Sequence, residues 1–362
     1  MKILLVITKA EIGGAQAFVL TLAGGLKKVG FDICVASGEG DYLPRELEKL
    51  NITFFRLKNL KKSINPIFTI AYILELKALI NREGFDIVHF NSTNSLPGIF
   101  AIKLSKIKIK TIFTVHGLSV LDTQYKALKL IKILFKKYFK FFINYIDKVV
   151  FVSKYNLEKA VNQGITTNGI VIYNGIKVDT DYFLNKENAR EELSKLFNDS
   201  LSNAYLIGSI GRFAEQKNYE FILNNWKDVK KRKPNAKLII IGDGPERCKY
   251  ETIIKELNIS ADIRIPGEIE NASFLLKGFD LFVLPSIYEG LSISLIEALF
   301  SNIPILASDV GGNKEIIGNE NCYLLNNKIE FFEKLNKNFI IHTDKSLFSA
   351  KSMVDKYINI YE

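Results

Sequence analysis

Residues 2–14 of this chain, KILLVITKAEIGG, carry the pattern that predicts its fold. The apolar run at residues 3–7 has the length of a buried strand and is too short for a membrane span or a secretory leader. Gly13 and Gly14 follow this run and start a segment that is predicted to be helical. Glycines at such a turn let a ligand approach the backbone, and the N-terminus of a helix attracts anions. A tight turn that binds nothing would use the same residues.

The alternation of a short apolar run with a longer helical segment continues along the chain. Strands are predicted at residues 2–7, 32–36, 53–57, 87–90, 111–115, 148–152, 170–173, 205–210, 237–241, 263–265, 281–284 and 303–307. In the first half, helices are predicted near residues 14–29, 42–50, 66–83, 95–105, 124–146 and 154–162. This alternation is typical of βαβ units and of a parallel sheet.

The alternation pauses once, at residues 174–203, which are polar and predict a linker and a surface helix. A chain of 362 residues is long for one hydrophobic core. We therefore predict an α/β protein with two doubly wound parallel-sheet domains, residues 1–175 and 176–345, followed by a terminal amphipathic helix. Open parallel sheets bind ligands at the carboxyl ends of their strands, so we expect these ends of both domains to face a central cleft.

Composition and charge narrow the possible functions. The cysteines and histidines are too scattered to predict a disulfide framework or a metal site: Cys34, Cys248, Cys322, His89, His116 and His342. No apolar run predicts a membrane-spanning helix, and we expect a cytoplasmic protein. Residues 1–174 hold 25 Lys and Arg against 12 Asp and Glu, whereas the remainder holds 24 against 27. Nucleic acid, anionic lipid and simple solubility would each explain the basic first half.

Candidate functional residues follow the predicted strands. His116 ends the strand at 111–115, where it could serve a site or be structural. Arg212 follows the strand at 205–210, and Lys217 lies five residues further on. Arg binds a phosphate through two parallel hydrogen bonds and Lys supplies a point charge, so the two cations could hold one anion. Two solvated surface cations are the alternative.

Residues 285–292, PSIYEGLS, lead into a predicted helix that contains Glu297. We expect Glu289 at or just before the start of that helix, with Glu297 a little over two turns further on the same side. Backbone N–H groups at Gly290 and Leu291 would attract a phosphate there. Glu297 has apolar neighbours and is costly to bury unless it accepts hydrogen bonds, for instance from ribose hydroxyls. An ordinary first-turn acid and a salt-bridged helix residue are the alternatives for the two carboxylates.

Together these features suit a nucleoside diphosphate with a sugar attached, and their order resembles glycosyltransferase family 4, which has the GT-B fold. The resemblance rests on Gly13-Gly14, His116-Gly117, Val152-Ser153, Tyr173-Asn174-Gly175, Gly211-Arg212, Gln216-Lys217-Asn218, Gly242-Asp243-Gly244-Pro245 and the pair Glu289 and Glu297. It covers nearly the whole chain, and the pair of glutamates with seven residues between them is its most specific part. It implies two Rossmann-like domains and transfer of a sugar with retention, without a metal or other cofactor.

The resemblance also implies roles for individual residues. His116 would lie beside the donor sugar, and Arg212 and Lys217 would hold the diphosphate. Glu289 would contact hydroxyls of the sugar and Glu297 the ribose. The turns at Gly13, Gly14, Gly290 and Leu291 would complete the donor site, and the terminal helix at 346–362 would pack back on the first domain. The family often has an acidic residue after Gly-Gly-Ala, whereas this chain has Gln16.

Residues 125–146 combine six lysines with apolar and aromatic residues. At about 100° per residue the lysines fall within one stripe, an arrangement seen in helices that lie on anionic membranes. A helix packed on the sheet with a solvated lysine face would have the same pattern. We expect this segment to bring the enzyme to the inner face of the cell membrane.

The sequence thus predicts a metal-independent, retaining glycosyltransferase of cell-surface polysaccharide or glycolipid synthesis. Its donor would be a UDP- or GDP-sugar and its acceptor a lipid-linked or saccharide molecule. No nucleic-acid recognition motif is found. A nucleotide-sugar 2-epimerase of the same fold and a non-catalytic sugar-nucleotide sensor or scaffold are the alternatives.

Overall fold

The computed structural model describes residues 1–63, 65–177, 182–197, 201–337, 339 and 341–362. The chain divides into two compact units. The first consists of Met1–Lys177 together with Ser346–Glu362, and the second of Val178–Lys345.

A parallel sheet forms the centre of the first unit, with strand order β3-β2-β1-β4-β5-β6-β7. The strands are β1 Lys2–Ile7, β2 Asp32–Ser37, β3 Thr53–Arg56, β4 Ile87–Phe90, β5 Lys110–Val115, β6 Lys148–Phe151 and β7 Ile170–Val171. Its helices up to this point are α1 Gly14–Lys28, α2 Tyr42–Lys49, α3 Pro66–Glu83, α4 Ile99–Ser105, α5 Lys129–Ile143 and α6 Lys154–Asn162. Apolar clusters cover both sides of the sheet, which explains why strand β1 is a continuous apolar run.

The second unit contains another parallel sheet, with strand order β10-β9-β8-β11-β12-β13. Its strands are β8 Tyr205–Ile210, β9 Ala236–Ile241, β10 Ile263–Gly267, β11 Leu281–Leu284, β12 Ile305–Ser308 and β13 Cys322–Tyr323. Its helices are α7 Lys186–Ser194, α8 Tyr219–Asn224, α9 Trp226–Arg232, α10 Arg247–Glu256, α11 Ile293–Ser301, α12 Asn313–Ile317 and α13 Lys328–Leu335. The predicted fold class, two Rossmann-like parallel-sheet domains, is confirmed.

The last helix, α14 Ala350–Tyr361, belongs to the core of the first unit. It packs against α1, where a side chain at Gly25 would come within 2.4 Å of Val354 Cγ2. Just before it, Ile176 and Ser349 form a parallel β-bridge. Ile176 N donates to Phe348 O at 3.0 Å, and Ala350 N donates to Ile176 O at 2.8 Å. The chain therefore leaves the first unit and re-enters it at the same place.

Several predicted boundaries were wrong. The helix predicted at 95–105 is interrupted, because Pro97 lies in a 3-10 turn and α4 starts only at Ile99. The basic helix predicted at 124–146 starts at Lys129. Asp122 is held in the preceding turn by an ion pair with Lys159 and by a 2.6 Å hydrogen bond from Lys132 Nζ to its carbonyl oxygen. These contacts keep the turn out of the helix.

Three short elements were not predicted: β13, α12 and α13. Strand β13 pairs with Ala307 and Ser308 over two residues, too few for a periodic signal. Helix α13 has Asn327 as its N-cap, whose side-chain oxygen accepts from Glu330 N at 3.1 Å. An asparagine followed three residues later by glutamate is a helix-start signal that the sequence analysis missed.

Candidate active site

A mostly buried ion pair joins two of the predicted site residues in the second unit. Lys217 Nζ lies 2.7 Å from Glu289 Oε1, and the two side chains are only 15% and 7% exposed. Lys217 ends the 3-10 turn Glu215–Lys217 that follows β8. Glu289 lies in the loop after β11, which is the neighbour of β8 in the sheet. The two residues meet because both follow adjacent parallel strands and leave the sheet at the same edge.

Two further side chains hold the Glu289 carboxylate. Ser286 Oγ donates to its Oε1 at 2.7 Å, and Gln216 Nε2 lies 3.3 Å from its Oε2. Gln216 also connects the loops through the backbone, since its Nε2 donates to Tyr288 O at 3.0 Å and its carbonyl oxygen accepts from Ile287 N at 2.7 Å. Ser286 and Gln216 occur in the motifs that were quoted from the sequence, but this role was not predicted for them.

A third loop, which follows β12, packs against the backbone of Glu289. Gly311 has φ +55°, and a Cβ there would lie 2.2 Å from the carbonyl oxygen of Glu289. Gly312 N donates to Gly290 O at 3.0 Å. Only glycine allows both the left-handed backbone and this close approach. The turn at 311–312 therefore fixes the position of the loop that carries Glu289.

Helix α11 starts later than predicted. Ser292 is its N-cap and its hydroxyl accepts from Leu295 N at 3.4 Å, so the helix begins at Ile293. Serine is among the preferred N-cap residues, and this preference determines the start of the helix. Glu289 thus belongs to the preceding loop, and the N–H groups of Gly290 and Leu291 are not the first N–H groups of the helix. Pro245, at the end of the Gly242–Pro245 motif, also precedes its helix, since α10 begins at Arg247.

Glu297 lies within α11 and is only partly exposed. Burial raises the pKa of its carboxyl group to about 7, although a hydrogen bond with Ser273 works in the opposite direction. Ser273 in turn shares a 2.7 Å hydrogen bond with Tyr182 Oη. Both residues come from a region without a motif, and no sequence pattern predicts them as partners of Glu297.

Arg212, the other predicted cation, is exposed at the start of the loop after β8. Within the described ranges its side chain has no hydrogen-bond or ion-pair partner. Its backbone is nevertheless ordered by the loop after β9, since Phe213 N donates to Asp243 O at 2.8 Å. Arg212 is therefore an exposed cation that is unpaired within the described residues, unlike Lys217.

The remaining predicted site residues belong to the first unit. His116 follows β5, and its ring meets that of Phe18 edge-on with 4.7 Å between centroids. Its Nε2 atom is buried and has no hydrogen-bond partner in the described part of the chain. Burial lowers the pKa of His116 to about 4, so the imidazole is neutral near pH 7. Gly14 starts α1, and Gly13 has extended backbone with φ 176°, a conformation open to any residue.

Across the described ranges, no cluster of three or more His, Cys, Asp or Glu side chains is arranged to hold a metal ion. None of the helices seen there has the length and apolar content needed to cross a bilayer.

With this geometry established, the chain was compared with known proteins. The model "Glycosyltransferase Family 4" matches residues 12–180, and "Glycosyl transferases group 1" matches residues 190–340. The UDP-Gal:alpha-D-GlcNAc-diphosphoundecaprenol alpha-1,3-galactosyltransferase of Escherichia coli is 25% identical over 86% of this chain and 83% of that protein. The O-antigen biosynthesis glycosyltransferase WbnH of Escherichia coli is 26% identical, over 99% of this chain and 97% of the length of WbnH.

The crystal structure of Anabaena Alr3699/HepE in complex with UDP and glucose has the same fold, with a TM-score of 0.79 at 16% identity. The match covers 99% of both chains. The present chain belongs to the family 4-type glycosyltransferases of the GT-B fold, as the sequence predicted. It is a hexosyltransferase-type glycosyltransferase of polysaccharide or glycoconjugate biosynthesis.

Proposed function

We propose that this enzyme transfers a sugar from a nucleotide-sugar with retention at the anomeric carbon and without a divalent metal. The observation that carries the proposal is the buried pair of Lys217 and Glu289 at the carboxyl edge of the second sheet. A lysine that is already fixed in place can stabilise the charge that develops on a departing diphosphate. One preorganised group of this kind contributes about 3–4 kcal/mol in the transition state.

The contacts of Lys217 suit this role. Its ammonium group has three N–H bonds and donates one of them to Glu289. Among the residues that the structure describes, no other acceptor bonds this group, so the remaining N–H bonds could serve phosphate oxygens while the ion pair is kept. Arg212 would add a second, adjustable cation from the same loop, and the turn at Gly290 and Leu291 would bring backbone N–H groups to the donor. The acceptor would attack from the side that the diphosphate leaves, and the phosphate would take the acceptor proton.

The roles of the other site residues complete the proposal. Glu289 holds Lys217 and would contact hydroxyls of the donor sugar. Glu297 would accept hydrogen bonds from the ribose, and this contact would favour its ionised form. His116 would contact the transferred sugar as a neutral hydrogen-bonding group, with the turn at Gly13 and Gly14 close to the same ligand.

UDP-sugars are the first candidates for the donor. The E. coli relative is named for UDP-Gal, and the Anabaena structure contains UDP. GDP-sugars stay in the comparison, because nothing in the described side chains selects the base. A panel of UDP-, GDP- and ADP-sugars is tested for thermal stabilisation, since a ligand that binds only the native state raises the melting temperature. If none of these nucleotide-sugars raised the melting temperature at millimolar concentration, the proposed donor class would be ruled out.

The same preparation tests the metal-free mechanism. Transfer activity is measured with the best donor after dialysis against EDTA, and again after addition of Mn²⁺ or Mg²⁺. Unchanged activity is expected, because Lys217 and Arg212 supply the positive charge. Loss of activity with EDTA and recovery with either cation would disprove this part of the proposal.

The acceptor is proposed to be a lipid-linked saccharide at an anionic membrane surface. Helix α5 supports this through side chains that do not pack on the sheet. Leu130, Ile131, Ile133 and Leu134 are 63%, 49%, 42% and 56% exposed, next to the lysines of the same helix. Exposed leucine and isoleucine among lysines are what a helix at a lipid interface requires. Each lysine near such a surface adds about 1 kcal/mol at low salt.

Helix α3 also carries exposed apolar residues and packs on the same side of the first sheet. Ile67, Ile70 and Leu74 are 72%, 59% and 56% exposed and recur at helical spacing. Both α3 and α5 pack through their buried residues on one core cluster. The enzyme would therefore bind the bilayer through the outer surfaces of these two helices and of α4 between them, from the inner face of the cell membrane.

A further inference from the structure

A chain of hydrogen bonds is buried on one side of the first sheet. Tyr361 Oη lies 2.7 Å from His89 Nδ1, and His89 Nε2 lies 2.7 Å from Thr114 Oγ1. Thr114 Oγ1 also lies 2.7 Å from Tyr357 Oη. His89, Thr114 and Tyr357 are 0% exposed and Tyr361 is 2% exposed. Through these contacts the terminal helix α14 is bonded to strands β4 and β5.

An aromatic ring connects this chain of bonds to His116. Phe18, fully buried in α1, meets Tyr357 edge-on with 5.7 Å between centroids and meets His116 edge-on at 4.7 Å. Thr114 and His116 are two residues apart at the end of β5, so their side chains lie on the same side of the sheet. Thr114 holds the hydroxyl of Tyr357 through a hydrogen bond, and the ring of Tyr357 contacts the ring of Phe18.

Simple attachment of the helix does not require these polar groups. Burying hydroxyls and an imidazole is costly unless each is hydrogen-bonded, and apolar residues of similar size would hold a helix equally well. Hydrogen bonds are directional, however, so the bond to Thr114 restrains the position of the Tyr357 ring. The Nε2 atom of His116 has no hydrogen-bond partner within the described residues. On that side, ring contacts therefore orient the imidazole.

We propose that Tyr357 is a positioning residue that orients the imidazole of His116 through the Phe18 ring. The inference rests on the proposed role of His116 at the transferred sugar. It assigns to the last helix of the chain an effect on the reaction, in addition to its contribution to the core.

Two tyrosine variants on the same helix test this inference. Tyr357→Phe and Tyr361→Phe each remove one buried hydroxyl, but no ring contact between Tyr361 and Phe18 occurs in the structure as described. The chain has three histidines, so the imidazole NMR signals can be assigned by single substitutions, with exposed His342 as an internal reference. Tyr357→Phe is expected to shift the His116 signals. Tyr361→Phe is expected to shift mainly those of His89, which bonds its hydroxyl directly, and to shift those of His116 less than Tyr357→Phe does.

Kinetics with the best donor give the second readout. Tyr357→Phe should lower kcat about fivefold or more while the KM for the donor stays within about twofold, since misplacement of a reacting group reduces the chemical step. Tyr361→Phe should keep near-normal kcat. Thr114→Val should reproduce the effect of Tyr357→Phe, and Thr114→Ser, which keeps the hydroxyl, should not. The threonine pair also serves if Tyr357→Phe does not fold.

Two results would overturn the inference, and a third would support it. Unchanged His116 signals in both Tyr357→Phe and Thr114→Val would overturn it. Equal losses of kcat in the two tyrosine variants would also overturn it, because the hydroxyls would then only attach the helix. Shifted His116 signals in Tyr357→Phe together with a normal rate for His116→Ala would support the positioning and remove the role proposed for His116 in transfer.

Discussion

Lys217 and Glu289 are 72 residues apart in sequence, yet their charged atoms lie 2.7 Å apart. The ion pair joins the loops that follow two neighbouring strands, β8 and β11, and Ser286 and Gln216 hold its carboxylate. Both members were predicted to contact the donor, but their contact with each other was not predicted. The pair makes Lys217 a structural and a proposed catalytic group at once.

Substitution of Lys217 should reduce activity and stability together. Lys217→Met removes the cation and leaves the Glu289 carboxylate buried without its counter-charge, a change that costs several kcal/mol in buried pairs. We expect a lower melting temperature and a loss of at least about tenfold in kcat. Thermal unfolding and steady-state kinetics measure both. Lys195→Met, in an ion pair whose side chains are 62% and 50% exposed, is the control and should change neither.

Arg212→Ala should reduce activity without reducing stability. The side chain is exposed and has no partner in the residues that the structure describes, so its removal leaves the fold intact. A loss of at least about tenfold in kcat is expected if the guanidinium grips the diphosphate. The melting temperature without ligand should match that of the unmodified enzyme, whereas stabilisation by UDP should shrink. Normal kinetics would contradict the assignment of Arg212.

Glu297 should make stability depend on pH. Burial raises the pKa of its carboxyl group from 4.5 to about 7 in the folded state. The folded protein therefore holds this proton more tightly than the unfolded chain does, and stability falls as pH rises from about 4.5 to 7.

The Glu297→Gln variant removes this dependence. At each pH the melting temperature of the unmodified enzyme is subtracted from that of the variant. This difference should rise between pH 5 and pH 7 and stay level above pH 7. Glu192→Gln, at an exposed position, is the control, and its difference in melting temperature from the unmodified enzyme should not rise between pH 5 and pH 7. A constant difference for Glu297→Gln across the range would contradict the raised pKa.

Gly311→Ala should disturb the loop that carries Glu289. At φ +55° an alanine is strained, and its Cβ would lie 2.2 Å from the Glu289 carbonyl oxygen. We expect losses in both melting temperature and kcat. Gly318→Ala is the matched control, because Gly318 has φ +77° and no atom within 4 Å of the Cβ position. Its backbone strain of about 1–2 kcal/mol should affect stability alone.

Membrane binding should depend on the exposed apolar residues of α5. The triple variant Leu130→Ser, Ile133→Ser and Leu134→Ser keeps the lysines and removes side chains that are not in the core. We expect it to sediment less with vesicles containing anionic lipid, at unchanged thermal stability.

The control for membrane binding is in the second unit. Leu324→Ser with Ile329→Ser replaces apolar residues that are 57% and 72% exposed, and vesicle binding should be unchanged. Failure of the unmodified enzyme to bind neutral or anionic vesicles at low salt would remove the membrane proposal.

The sequence predicted most of the fold because the strands are buried on both sides and appear as continuous apolar runs. β1, β4, β8 and β11 have the predicted bounds. It also predicted Lys217, Glu289 and His116 as site candidates, because each follows a strand. The sequence could not show that Lys217 and Glu289 pair, that Gly311 closes on Glu289, or that Phe18 contacts His116. Those relations depend on which strands are neighbours and on distances across the sheet edge, and no local pattern records them.

The bridge between Ile176 and Ser349 has a consequence for how the protein is made. The second unit is inserted into the first, and the first unit lacks Met353, Tyr357 and Tyr361 of its core until helix α14 has been synthesised. During translation, residues 178–345 would complete their own core earlier than the unit that begins the chain. The N-terminal sheet would meanwhile expose the apolar side that α14 later covers, and it would be the part most in need of a chaperone.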